Sequence, residues 1–151
     1  MIKAMKNFKL MALICLLALG FVSCKEQKIG WRNFSGYTSQ DIMGSYSASD
    51  ISEAFEGLTE GQYCRICRDA QVAITNSGSK LRIEVKSISG GLNWSSVGNP
   101  CQNNGDFIMQ LGAAPELDFL ATVYTNDNKE VRLHGYVRKN HVTYYFDVIK
   151  N

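Results

Sequence analysis

An all-β domain of antiparallel strands is the fold class this sequence predicts, and three observations predict it. Two long stretches alternate apolar and polar residues with a period of two. Short clusters of Asn, Asp, Gly, Ser and Lys separate the alternating runs. Only one brief stretch carries helical spacing. A period of two sends successive side chains to opposite faces of a sheet, and tight turns between runs make neighbours antiparallel.

Taken in chain order, Ile42 to Ser47 reads as a first strand and Gln62 to Ile66 as another. Between them, Asp50-Ile51-Ser52-Glu53 fits a helix start with an acid at the cap and Glu three residues on. Ile51, Ala54, Phe55 and Leu58 keep the helical spacing, and Gly57 and Gly61 limit it. So short a helix is marginal alone and must lay its stripe on the sheet, plugging one end or covering an edge. Val72 and Ile74 lead through Asn76-Ser77-Gly78-Ser79 to Leu81, Ile83 and Val85, with Arg82, Glu84 and Lys86 on the other face. This is a hairpin with one face toward a core and one toward water. Gly90 to Trp94 and Asn99 to Gly105 read as long loops, and Asp106 to Leu111 as a strand.

The C-terminal third is a three-strand meander. Leu117, Phe119, Ala121 and Val123 form one apolar face, continued by Val131, Leu133, Gly135 and Val137 and then by Val142, Tyr144, Phe146 and Val148. Asn126-Asp127-Asn128 and Lys139-Asn140 read as the turns. With the second turn placed there, Arg138 pairs with His141 and His134 lies opposite Tyr145. About eight strands joined by consecutive short turns predict a single meander barrel with one short helix, with a β-sandwich as the alternative. Gly44-Ser45-Tyr46-Ser47 as a first-strand G-x-Y-x motif, together with the meander, resembles the calycin group of lipocalin-like barrels over roughly residues 42–149.

The chain is 45% hydrophobic and 20% charged over 151 residues, the composition of one globular domain. Its first residues read as an export signal. Lys3, Lys6 and Lys9 precede thirteen residues, Leu10 to Val22, without a polar side chain. Such a run covers only ~20 Å, too short for ~30 Å of bilayer hydrocarbon. Phe21-Val22-Ser23-Cys24 resembles the lipobox of bacterial lipoproteins, which implies cleavage before Cys24 and acylation of its sulfur. The expected organisation is a signal over 1–23, a lipidated tether over 24–33 and a β-barrel domain over 34–151. Removing the signal takes three Lys and leaves 13 basic against 14 acidic residues. That balance gives no electrostatic case for nucleic acid.

Of five Cys, Cys15 leaves with the signal and Cys24 takes the lipid, leaving Cys64, Cys67 and Cys101 in an oxidising compartment. Tyr63-Cys64-Arg65-Ile66-Cys67 is a C-x-x-C with four readings. A structural disulfide to Cys101 closes a loop of about 35 residues, worth ~3–4 kcal/mol. Three sulfurs suit a soft ion such as copper(I). A redox pair needs a helix N-terminus, where a strand pattern follows instead. Free thiols are the fourth. A G-x-Y-x strand, a C-x-x-C and a hairpin also resemble the amino-terminal barrel of copper-resistance and stress-sensing outer-membrane lipoproteins.

His134 and His141 read as surface residues, and the chain carries no H-E-x-x-H, G-x-S-x-G, P-loop or dinucleotide fingerprint. Neither an enzyme nor a resident cofactor is expected. Leu81, Ile83, Phe119, Leu133, Tyr144 and Phe146 are the candidates for a barrel interior, as a filled core or as the lining of an apolar ligand site. Trp94, Tyr124, Tyr136 and Tyr145 are the candidates for binding at loops or on an aromatic face. The expected protein is a non-catalytic lipoprotein of a Gram-negative envelope, anchored to the outer membrane. Its expected partner is a small apolar ligand, or else an envelope protein that it inhibits or senses.

Overall fold

The computed structural model describes residues 30–103, 108–112 and 117–151, with the backbone alone at 101–103. The expected signal, the lipobox Cys24 and most of the tether lie outside these residues. Among the described residues no helix is long and apolar enough to cross a membrane.

Among the described residues eleven strands make one sheet: β1 (Arg32–Asn33), β2 (Gly44–Ala48), β3 (Cys64–Ile66), β4 (Gln71–Ser77), β5 (Lys80–Ser87), β6 (Leu92–Gly98), β7 (Cys101–Asn103), β8 (Ile108–Leu111), β9 (Phe119–Thr125), β10 (Val131–Lys139) and β11 (Val142–Lys150). The ladder runs β6-β5-β4-β2-β11-β10-β9-β8-β7, with β1 beside β9 and β3 beside β11. All pairings are antiparallel except that of β3 with β11. The all-β class is as the alternation predicts.

The closed barrel is corrected: β6 and β7 are the two edges of the sheet. They are consecutive in the chain and separated only by Asn99-Pro100. β6 pairs with β5 and β7 with β8. The sheet nonetheless wraps strongly. Six ladder steps separate β6 from β9, about 29 Å in a flat sheet. Yet the rings of Trp94 on β6 and Phe119 on β9 stack with centroids 5.9 Å apart.

Inside the wrap lies one core. Tyr46, Ile74, Ile83, Phe119, Leu133 and Phe146 are each at most 1% exposed. Phe119 also stacks on Phe146 at 5.8 Å. Tyr46 sends its hydroxyl proton to the carbonyl of Ile42 at 2.6 Å, and burial pushes its pKa far up.

Several elements differ from the sequence reading, among them strand β7 within the Asn99–Gly105 stretch read as loop and strand β1 at the end of the expected tether. Residues 50–58 hold a four-residue 3-10 turn, Ser52–Phe55, with no side-chain cap, in place of a two-turn helix. A helical turn, α1 (Ser39–Ile42), precedes β2 with a capping box between Thr38 and Asp41. The stretch from Leu92 read as loop is strand β6, which a Gly90-Gly91 turn launches. The last turn is Asn140-His141, both with positive φ, since Lys139 pairs with Val142. Moving the turn by one residue shifts the pairing by two, which leaves the faces unchanged and moves His134 from Tyr145 to a place opposite Asp147.

Strand directions sort the connections to two ends. The β4–β5 turn, the β9–β10 turn and the entry of the chain at Arg32, beside Thr125, share one end. The β5–β6 turn and the β10–β11 turn share the other.

Candidate functional site

The outer face of β9, β10 and β11 carries a cluster of charged and aromatic side chains, among them Arg132, His134, Asp147 and Tyr124. By alternation this face belongs to water. Residues 49–63 change that, because they leave β2 and cross it, bringing Phe55 to 6.5 Å from the His134 ring. Arg68 in turn lies 5.3 Å over Phe55. Under this strap Asp147 is completely buried.

Its carboxylate is nevertheless fully partnered. Arg132 donates from Nε at 2.9 and 3.1 Å and from Nη2 at 2.6 Å. His134 Nδ1 lies 2.8 Å from Oδ2, and the Ser49 hydroxyl donates to Oδ1. The Ser49 amide reaches the Asp147 carbonyl at 2.9 Å, so both ends of the residue tie the strap down. Burial pushes the carboxyl up, but hydrogen bonds from His134, Arg132 and Ser49 and the charge of Arg132 outweigh it. The net result is a carboxyl below its ordinary range.

Ser49, Asp147 and His134 are the residue types of a hydrolytic triad, but the connectivity differs. The Ser hydroxyl is spent on the carboxylate, whereas a nucleophile needs its bond to the imidazole. What the arrangement does is hold things in place. Asp147 clamps Arg132, and Arg132 then stacks over Tyr124 at 5.1 Å and Trp31 at 5.8 Å. The entering chain is thereby pinned to the sheet.

The four aromatic binding candidates separate. Tyr124 belongs to this cluster. Tyr136 and Tyr145 face each other edge-on at 5.8 Å further down the same face, half-buried. Trp94 is on the other side of the sheet and packs on the core against Phe119. Of the interior candidates, Leu81, Ile83, Phe119, Leu133 and Phe146 are buried core, and Tyr144 packs against it half-exposed. A solvent-open cleft of about 690 Å³ lies beside Phe34, Asp41 and Lys150.

Cys64 and Cys67 stand as free thiols, and no disulfide is seen among the described residues. The Cys101 side chain lies outside the described residues. The C-x-x-C spans strand β3, where alternation separates the two sulfurs. Cys67 is 1% exposed beneath Gly90, where an added Cβ would stand 2.6 Å from its sulfur. Burial pushes this thiol up, and inert buried thiols behave this way. These positions do not fit a two-thiolate metal clamp. No group of three or more His, Cys, Asp or Glu among the described residues is placed to hold a metal ion. We expect a thiol reagent to modify Cys64 at least ~100-fold faster than Cys67 in the native protein, and both equally in denaturant. Rates on Cys64→Ser and Cys67→Ser variants check this, and equal native rates would contradict it.

Sequence reasoning missed Asp147, although the signal was present. Arg132, His134 and Asp147 are charged or polar residues on one face of two adjacent strands, and the correct turn makes His134 and Asp147 a cross-strand pair. The burial was not legible, because it comes from a strap about 90 residues away in sequence. No protein-family model, curated protein or solved structure matches this chain.

Proposed function

We propose that this chain is a lipid-anchored, non-catalytic envelope protein whose β domain is an interaction module that meets a partner protein through its outer surface. The observation that carries the surface reading is the packing of the inner face. Ile83, Phe119, Leu133 and Phe146 are each completely buried against one another and their neighbours. A small apolar ligand inside the sheet has to displace these side chains, and tightly filled interiors resist that. The anchor reading rests on the Lys-rich start, the thirteen-residue apolar core and the Ser23-Cys24 junction. More than one acyl chain on Cys24 gives stable anchoring without any spanning helix.

The test is native mass spectrometry of the protein extracted from membranes of a Gram-negative host. The expected species is the chain from Cys24 with acyl groups and no further bound small molecule. A stoichiometric apolar guest would replace the surface reading with a carrier. In the same host, Cys24→Ser is expected to leave almost none of the acylated form. An unchanged mass and unchanged membrane retention in that variant would remove the anchor.

A further inference from the structure

We propose that residues 50–59 of the strap are a lid, which opens while the sheet stays folded and uncovers the Asp147 carboxylate with Arg132 and His134 around it. The strap has the build of an Ω-loop, a compact surface loop that leaves and rejoins the fold at neighbouring points. Both of its ends hang on one strand. The Ser49 amide donates to the Asp147 carbonyl and the Thr143 amide to the Tyr63 carbonyl, each at 2.9 Å. Those two β11 residues stand four positions apart, about 13 Å along a strand. Opening therefore moves no strand, because the ends stay on β11 and only the chain between them swings.

The return end is fixed further. Glu60 accepts the Ile66 amide and Arg65 donates to the Gly61 carbonyl, both at 3.0 Å. Residues 50–59 are held differently. The amides of Ala54, Glu56 and Leu58 donate to the carbonyls of Ile51, Glu53 and Phe55, so the segment closes on itself and moves as one piece. Within it Ala54 is buried, Ile51, Phe55 and Leu58 are half-buried, and the others are exposed. Gly57, at φ +78°, has nothing within 4 Å of an added Cβ, so the bend after Phe55 stands clear of the sheet. Segments that bury little apolar surface open at the low end of local stability.

What lies beneath favours opening too. Burying a charged pair costs desolvation, which opening relieves. Arg132 and His134 both belong to β10, so their bonds to Asp147 stay made when the strap leaves. Phe55 is the closing contact. Its ring stands 6.5 Å from that of His134 and 5.3 Å from the Arg68 guanidinium, and Arg68 comes from the β3–β4 connection, outside the lid. The outer face thus has two states. One is capped by the strap, and the other presents a carboxylate held between a guanidinium and an imidazole. This device follows from the packing alone and is independent of the anchor and of any partner.

The test applies two probes to the full chain across urea concentrations below the unfolding midpoint. Carbodiimide coupling, located by peptide mass, reads exposure of the Asp147 carboxyl. A Glu-specific protease reads Glu56 in the lid and, as the reference for global unfolding, Glu84 within β5. We expect Asp147 coupling and Glu56 cleavage to share a shallow urea dependence, because lid opening exposes little surface, and Glu84 cleavage to rise steeply. Arg68→Ala leaves the cleaved sequence intact and is expected to speed both lid signals about two- to fivefold, the usual loss of an exposed cation–π contact. Unchanged Glu84 cleavage in that variant separates this from a weaker fold. Asp147 coupling that follows the Glu84 urea dependence overturns the proposal, even where Glu56 is cut quickly. Asp147 coupling indifferent to Arg68→Ala overturns it as well.

Discussion

Replacing Gly135 with Ala is expected to destabilise the protein by about 3 kcal/mol or more, at the upper end of what an added methyl does in a packed interior. Gly135 sits in the middle of β10, between Ala121 of β9 and Phe146 of β11. An added Cβ would stand 1.9 Å from the Leu120 carbonyl oxygen and 2.7 Å from the Ala121 Cα. Both are backbone atoms of a central strand, so neither can step aside as a side chain could. Gly→Ala also restricts the unfolded chain, which favours folding by only ~0.4–1 kcal/mol. The clash wins by a wide margin. With a urea slope of about 1–3 kcal/mol per molar, the midpoint falls by about 1 M or more. Gly61→Ala is the control, because nothing lies within 4 Å of its added Cβ and its φ is not positive. That variant is expected to unfold within ~0.5 kcal/mol of the parent, as surface changes usually do. A Gly135→Ala protein with the parent's midpoint would contradict the strand packing described here.

Asp147→Ala is the second large effect, at about 3–5 kcal/mol, because it strands a buried guanidinium. Arg132 is only 12% exposed, and its carboxylate partner is completely buried. Replacing both partners with apolar residues of similar size, Arg132→Met with Asp147→Leu, is expected to recover much of the loss. The acid dependence has a definite sign. The folded carboxyl lies below its ordinary value, so its stabilisation is complete above the unfolded pKa of about 3.9 and is lost as the pH falls through the depressed value. The stability gap between the parent and Asp147→Asn is therefore expected to close as the pH falls below the unfolded carboxyl range and through the depressed value. Denaturant titrations of both proteins below about pH 4 measure it, and a gap that does not close in that range would contradict the assignment.

Much of the fold was legible because it is written in short-range alternation. The apolar face of Phe119, Ala121, Val123, Val131, Leu133 and Val137 is buried as the period of two requires. The polar face was half-legible. Its residues were assigned correctly, but burial of Asp147 depends on where a distant segment crosses the sheet. The same holds for Trp94. Its Gly-Gly prefix and Asn/Ser neighbours resemble a loop, and only the wrapping of β6 toward β9 makes it a core residue. The α1 capping box was readable as Thr38-x-x-Asp41 and was overshadowed by the stronger-looking Asp50-x-x-Glu53, which yields only a 3-10 turn. Open edges rather than a closed barrel were not legible, because strand count and short turns are the same whether or not the first and last strands of the ladder pair.

The central claim is that the inside of this sheet is filled and that recognition belongs to its surface. Methyl-detected NMR of the Lys25–Asn151 domain, whose core cluster lies wholly between Tyr37 and Val148, tests it most directly during titration with long-chain fatty acids and an apolar dye. We expect the Ile83, Leu133 and Val137 methyls to stay where they are up to saturating ligand. Saturable one-to-one shifts at those methyls would mean that the interior opens to a guest, and the protein would then be a carrier.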